Sequence, residues 1–233
     1  MLAFLVCRIL PWITIAVLFT GILARTRRWM KGGRPKLTLF PSGGSTAGAW
    51  KRIFREIFVF ESLFKSNRGL WGGTWVFHAG LLLVLAGHAR LVAEFPRLRS
   101  AFGVATDQAD ALGQWIGGGA GILVLAMGCY LLARRLVIRS VREISGREDY
   151  LVLGVLLAVI VSGDALRFMP GSDLAETRAF LRGLFLLQPV TAPSHLLFLI
   201  HFLLAQALLI IVPFSKFMHI PGVFFTKSLL LKP

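Results

Sequence analysis

The sequence predicts an all-α integral membrane protein, a five-helix transmembrane bundle with its N-terminus outside and its C-terminus in the cytoplasm. Three observations carry that expectation. The 233-residue chain is 56% hydrophobic and holds five stretches long enough to cross a hydrocarbon core, which takes about 20 mainly apolar residues. Its formal charge of +15 gathers in alternate extramembrane regions instead of spreading evenly. Four histidines lie inside apolar runs, where an imidazole is costly and is by default a functional residue.

The first span covers about 2–24. Arg8 is its only early basic residue, no clear small-residue cleavage site follows, and Arg25, Arg27 and Arg28 come directly after it. This is the pattern of a retained span, not of a cleaved signal peptide. Residues 25–70 then form the one sizeable extramembrane segment. Gly32-Gly33-Arg34-Pro35 and Pro41-Ser42-Gly43-Gly44 mark loops. Beyond them Trp50, Ile53, Phe54, Ile57, Phe58 and Phe64 recur at helical spacing against Lys51, Arg52, Arg55, Glu56 and Lys65. That pattern is a short amphipathic helix in the cytoplasmic interface, serving as a docking surface for a soluble partner or as a plain membrane-surface anchor.

The second span, about 71–93, carries His78 and His88. The third, about 114–133, carries Gly117, Gly118, Gly119 and Gly121, small residues that let helices or a macrocycle approach closely. Asp164 and Arg167 lie three apart near the end of the fourth span, about 150–168, where they can pair on one helix face. The fifth, about 192–213, continues more weakly toward Phe225 and carries His195, His201 and His219. The segment after span one, the loop of Arg134, Arg135, Arg139, Arg142 and Arg147, and the tail with Lys216, Lys227 and Lys232 are basic. The loops at about 94–113 and 169–191 are balanced. The positive-inside rule therefore makes the basic regions cytoplasmic. Charge that flanks spans in this way is no sign of nucleic acid binding.

Cys7 and Cys129 sit in separate apolar spans without metal spacing, so both are expected as buried thiols rather than a disulfide or cluster site. No Gly-rich nucleotide motif and no Cys-rich ferredoxin run is present. Nicotinamide, nucleotide or iron–sulfur chemistry would have to come from another chain.

The histidine spacing is the feature that points to chemistry. If span five is one straight helix, His201 and His219 are five full turns apart, pointing the same way with a rise of about 27 Å. His78 and His88 are separated by about 15 Å along the axis and about 80° around it. Spans two and five run in opposite directions, so depth permits one pairing: His78 with His219 on the cytoplasmic side, and His88 with His201 on the outer side. Each pair supplies two axial nitrogens, as a low-spin b-type haem requires, and no CxxCH for covalent attachment occurs. The two rises differ by about 12 Å, which a bend at Pro213 and relative tilt would have to absorb. Any single histidine could instead serve packing, a proton relay or the interface. His195 lies about 120° from His201 around the helix, as an interfacial residue or as the lining of a quinone pocket. Arg90, just after His88, could neutralise a haem propionate or simply snorkel.

The run Val212-Pro213-Phe214-Ser215-Lys216-Phe217-Met218-His219-Ile220, preceded by His201, resembles the last helix of the gamma subunit of respiratory nitrate reductase. The ten-residue histidine spacing with Gly87-His88, and the glycine run followed by Arg134-Arg135, are similar to its second and third helices. The likeness extends over all five spans. It implies a dihaem cytochrome b of an anaerobic respiratory chain, exchanging electrons with menaquinone or ubiquinone at the outer haem. The inner haem would face a cytoplasmic iron–sulfur subunit. It assigns His78 and His219 to the inner haem and His88 and His201 to the outer, in the inner membrane of a prokaryote. Two features depart from it. The 25–70 segment is longer and resembles relatives in sulfate-reducer redox complexes, whose cytoplasmic partner is heterodisulfide-reductase-like. The lysine that serves the nitrate-type quinol site has no counterpart, since no lysine lies between Lys65 and Lys216. Gly87, His195, Arg97 and Gln108 are the candidates left to line a quinone site, with Arg99 beside them. The competing reading from another class is a non-redox anchor or proton-conducting transporter component that uses the buried histidines.

Overall fold

The structure is a computed structural model that describes residues 2–32, 46–92, 103, 105–169, 173–188, 191–219 and 221–223. All regular elements among these residues are helical. Five helices are long and apolar enough to cross a membrane: Leu5–Lys31, Arg68–Val92, Gln108–Val137, Arg147–Phe168 and Leu196–Phe214. Large apolar side chains such as Phe19, Leu82, Ile122 and Val161 point outward from them, as they do where the solvent is lipid.

Helix ends differ from the hydropathy reading for local reasons. The first helix continues to Lys31, because long basic side chains tolerate a helix that leaves the bilayer and keep their charges in water. Its start is a π-helical turn, Leu5–Ile9. Pro11 follows and has no N–H to donate to the Cys7 carbonyl, which favours the wider turn. The third helix begins at Thr106, earlier than the apolar run, because the Gln108 side chain accepts a hydrogen bond from the Ala105 N–H (3.3 Å) and caps its start.

Spans two, three, four and five pack in sequence, each against the next. Glycines set the close approaches. A Cβ at Gly73 would meet the Tyr130 ring at 2.6 Å, one at Gly80 would meet Val124 at 2.7 Å, and one at Gly128 would meet Leu157 at 2.6 Å. These contacts run antiparallel, and Phe77, Val124, Leu156 and Ile160 form the core between the three helices. The first span lies outside this group and runs parallel to the fifth. Near its start the Gln206 amide donates to Val6 O (3.1 Å), and near its end Gly21 makes room for Pro213.

Two expectations fail here. The loop at 169–191 contains a helix, Leu174–Phe185, whose first turn is capped by Asp173 accepting from the N–H groups of Ala175 (2.7 Å) and Glu176 (3.3 Å). Phe180 from this helix packs on Phe198 and Phe202, beside Val6 and Cys7, and seals one end of the bundle. An Asp N-cap followed by Phe180, Leu181 and Leu184 was the available signal. Cys129, expected buried, is exposed on the outward face of span three, whereas Cys7 is buried.

The fifth span is not one straight helix. Its α-helix ends at Ile211. A 3₁₀ turn Val212–Phe214 follows, then Ser215 with extended backbone (φ −116°, ψ −179°), then a second 3₁₀ turn Lys216–Met218. Proline at the first turn removes a donor and forbids continuation. His219 therefore does not share a helix face with His201.

Candidate functional site

Four of the five histidines meet in two pairs across the gap between spans two and five. The His78 and His219 rings have centroids 6.2 Å apart and lie perpendicular, at 90°. The His88 and His201 rings are also 6.2 Å apart, but only 26° from parallel. The break at 212–218 explains how both pairs form at once. Ten helical residues from His201 to Ile211 rise about 15 Å, the same as His78 to His88, and the irregular strap 212–219 then carries His219 sideways instead of deeper. The 12 Å mismatch of a straight helix disappears.

Each ring is held by its Nδ1. In His78 it donates to Thr74 O (2.8 Å) and in His88 to Val84 O (2.8 Å), both one turn back on the same helix. In His219 it donates to Lys216 O (2.9 Å). His201 faces Ser162 Oγ at 3.0 Å, and that hydroxyl donates to Val159 O at 3.0 Å. The serine oxygen is thus an acceptor for the His201 Nδ1–H. All four imidazoles are fixed in the tautomer that leaves Nε2 with a free lone pair, which is how ligating histidines are normally prepared.

Two imidazoles trans on one metal, each bonded at about 2.0 Å, have ring centres roughly 6 Å apart. Both observed gaps fit. Among the described residues there is no group of three or more His, Cys, Asp or Glu that could hold a bare metal ion. A donor set of two histidines suits instead an iron whose remaining ligands come from a macrocycle. The backbone makes room for the rings: a Cβ at Gly163 would stand 3.0 Å from His201 Cε1, and the Cβ position at Gly87, beside His88, faces open space.

The surroundings of the pairs differ. At the end where Arg25, Arg135 and Lys216 gather, His78 also packs edge-on against Phe60, centroids 5.3 Å apart. Phe60 occupies the left-handed region (φ 51°, ψ 49°) at the joint between helices Thr46–Val59 and Glu61–Ser66. Its helix is pinned there by the indole N–H groups of Trp71 and Trp75, which donate to Val59 O (2.7 Å) and Phe58 O (3.0 Å). On that helix Ile53 is buried, while Trp50, Phe54 and Phe58 stay exposed. The amphipathic stripe is therefore shared between an inner and an outer face. Arg55 and Lys65 both pair with Glu61, and the Ser62 hydroxyl closes onto Glu56.

At the opposite end, Arg90 donates to Ala109 O (2.9 Å) and Asp110 (2.8 Å). Asp110 also takes a two-pronged contact from Arg178 at 2.6 and 3.1 Å. Arg90 is thus committed to the start of span three. Asp164 and Arg167 do not hydrogen-bond to one another as their spacing allows. Arg167 instead donates to Gly113 O (2.8 Å), and Asp164 tucks against Gly121 with its Oδ2 unpartnered among the described residues.

Of the quinone-site candidates, Gly87 stands beside His88, His195 is half-buried at the start of the fifth helix with its Nδ1 unpartnered among the described residues, and Gln108 is used as a cap. Arg97, Arg99 and residues 33–45, with all but Gly32 of the two loop signals, lie outside the described residues. Sequence reading missed Ser162 and Phe60. A buried serine in an apolar span was a signal for the first. Nothing local marked the second, since its contact depends on how the joint turns.

Residues 46–231 match the profile of the nitrate reductase gamma subunit. The chain is 28% identical to the Hdr-like menaquinol oxidoreductase cytochrome b-like subunit of Archaeoglobus fulgidus, over 94% of this chain and 77% of the relative. The protein of the same name from Archaeoglobus profundus is 26% identical, over 94% and 76%. The respiratory nitrate reductase 1 gamma chain of Escherichia coli is 26% identical, over 74% of this chain and 82% of its own. With paired histidines on a five-span helical bundle and a profile match across most of its length, the chain belongs to the nitrate reductase gamma subunit family of membrane redox-complex subunits.

Proposed function

We propose that this chain is the dihaem b-type cytochrome subunit of a membrane respiratory complex, transferring electrons between membrane quinone and a cytoplasmic iron–sulfur partner. The observation that carries the reading is the repeated gap: two histidine pairs at different depths, each with ring centroids 6.2 Å apart and each Nδ1 engaged elsewhere. His78 and His219 hold the inner haem, and His88 and His201 the outer. A haem b held there, by His78 with His219 or by His88 with His201, would supply a one-electron carrier. The protein's own part is to fix tautomer and ring orientation and to admit the macrocycle beside glycine.

The basic end is cytoplasmic by the positive-inside rule, with the N-terminus outside, the C-terminus inside, and the whole in a prokaryotic inner membrane. Quinone approaches the outer pair, with His195 and Gly87, whose Cβ position faces open space, as the residues offered to it. Relatives named as menaquinol oxidoreductase subunits favour menaquinol over ubiquinone. Their coverage also favours a heterodisulfide-reductase-like partner over a nitrate-reductase-beta-like one. That partner docks on segment 46–66, where Lys51 and Arg55 are exposed and Phe60 leads directly to the inner ligand. The test is a pyridine haemochrome measurement on the purified protein. Two b haems per chain with a sharp reduced α-band are expected, and a stable colourless chain would sink the proposal.

A further inference from the structure

The strap 212–219 is irregular backbone inside a membrane protein, yet it carries a ring that must be aimed. Such backbone persists only where protein groups satisfy it. One charged side chain from a distant span satisfies strap carbonyls, and a second anchors the strap through the side chain of Lys216. From span one, Arg25 Nη1 donates to Pro213 O (2.9 Å) and Ser215 O (3.4 Å), with its guanidinium held over the Trp29 ring. From the start of span four, Asp149 accepts from Lys216 Nζ at 2.6 Å. The Asp149 side chain is only 4% exposed. It is kept in place by the Gly146 N–H (3.1 Å) and by Arg135 at 3.8 Å. Lys216 has two functions: its ammonium meets Asp149, and its carbonyl accepts the Nδ1–H of His219. Pro213, Ser215 and Met218 are buried alongside.

We infer that Arg25 and Asp149 are positioning residues for His219, setting the orientation of the inner axial ligand through the strap and through Lys216. The inference rests on the haem-ligand reading above. Moving Lys216 moves the acceptor that aims the imidazole, so the effect reaches the inner pair. The outer pair hangs on continuous helices and on Ser162, so it is insulated.

The experiment is potentiometric titration with low-temperature EPR on the full-length protein, the inner signal being the one lost in His219→Ala. Asp149→Ala and Arg25→Ala are each expected to shift the inner haem's low-spin g values and midpoint potential while the outer haem keeps its wild-type spectrum. Asp149→Glu should return the inner signal toward wild type, and Lys216→Gln should reproduce the Asp149→Ala shift. Should Asp149→Ala fail to accumulate, Lys216→Gln and Asp149→Asn are read in the same way. An unchanged inner signal in these variants, or equal shifts at both haems, overturns the inference. A wild-type chain that binds no haem fails the earlier reading instead, a distinguishable result.

Discussion

The two histidine pairs share one centroid spacing but are built differently. His88 and His201 both stand on uninterrupted α-helix, with rings 26° apart. The support for His201 is a neighbouring span's serine. In the other pair, His78 is helical while His219 rides a strap of 3₁₀ turns, and the rings are perpendicular. That pair is braced by Phe60 in a left-handed backbone, by hydrogen bonds from Arg25 of span one to strap carbonyls, and by the ion pair of Lys216 with Asp149 of span four. The regular pair shows that two continuous packed helices can bring two imidazoles face to face. The irregular one shows what is needed when a chain must turn aside: a guanidinium on the freed carbonyls, a carboxylate to anchor the strap's lysine, and an aromatic ring to close the flank.

The sharpest break of this comparison is ligand removal in pairs. The double variant His88→Ala/His201→Ala should keep one haem per chain, as should His78→Ala/His219→Ala. The crossed variant His88→Ala/His219→Ala should keep none. A crossed variant that still holds one haem by pyridine haemochrome would mean the pairing is wrong.

Next in size is Gly163→Val. A Cβ there begins 3.0 Å from the His201 ring, and a β-branched side chain has no soft end to yield. Loss of the outer haem with the inner retained is the expected count, and loss of both would show that the two sites are not separable.

Ser162→Ala is subtler. It leaves the His201 Nδ1–H without its acceptor, a loss of about 1–3 kcal/mol for a buried donor and roughly 10–100-fold in affinity where a ligand's supporting partner is removed. Haem retention on dilution should fall for the outer site only. An equal fall at the inner site would argue that the serine serves general packing.

Phe60→Gly should have the smallest spectral effect, confined to the inner haem. Glycine relieves a backbone conformation that costs other residues roughly 1–2 kcal/mol but removes the ring against His78, so stability changes little while the inner spectrum moves. His195→Ala, off both pairs, should leave the haem count unchanged. A fall to one haem would reassign the fifth helix's ligands.

Much of the fold was legible because a bilayer imposes long apolar runs and an uneven charge distribution, both of which are local properties of sequence. The partners of all four histidines could be written down from spacing and direction. The same reasoning misjudged span five, since hydropathy does not register a change from α to 3₁₀ geometry beyond Ile211. It passed over helix Leu174–Phe185, whose few apolar residues only matter once Phe180 meets Phe198 and Phe202. It also paired Asp164 with Arg167, where span three offered Arg167 better acceptors.

The sequence by itself determined that there are five apolar helices, which end is basic, and that His78, His88, His201 and His219 are the residues available to ligate. His78 and His88 take their aim locally, from a carbonyl one turn back on their own helix. For His201, and for the strap that carries His219, aim depends on contacts between residues far apart in the chain: Ser162 with His201 at a separation of 39, Lys216 with Asp149 at 67, Arg25 with Pro213 at 188. A span's hydropathy is set residue by residue. A hydrogen bond's direction is set only when two helices have packed and both partners have lost the alternative of water.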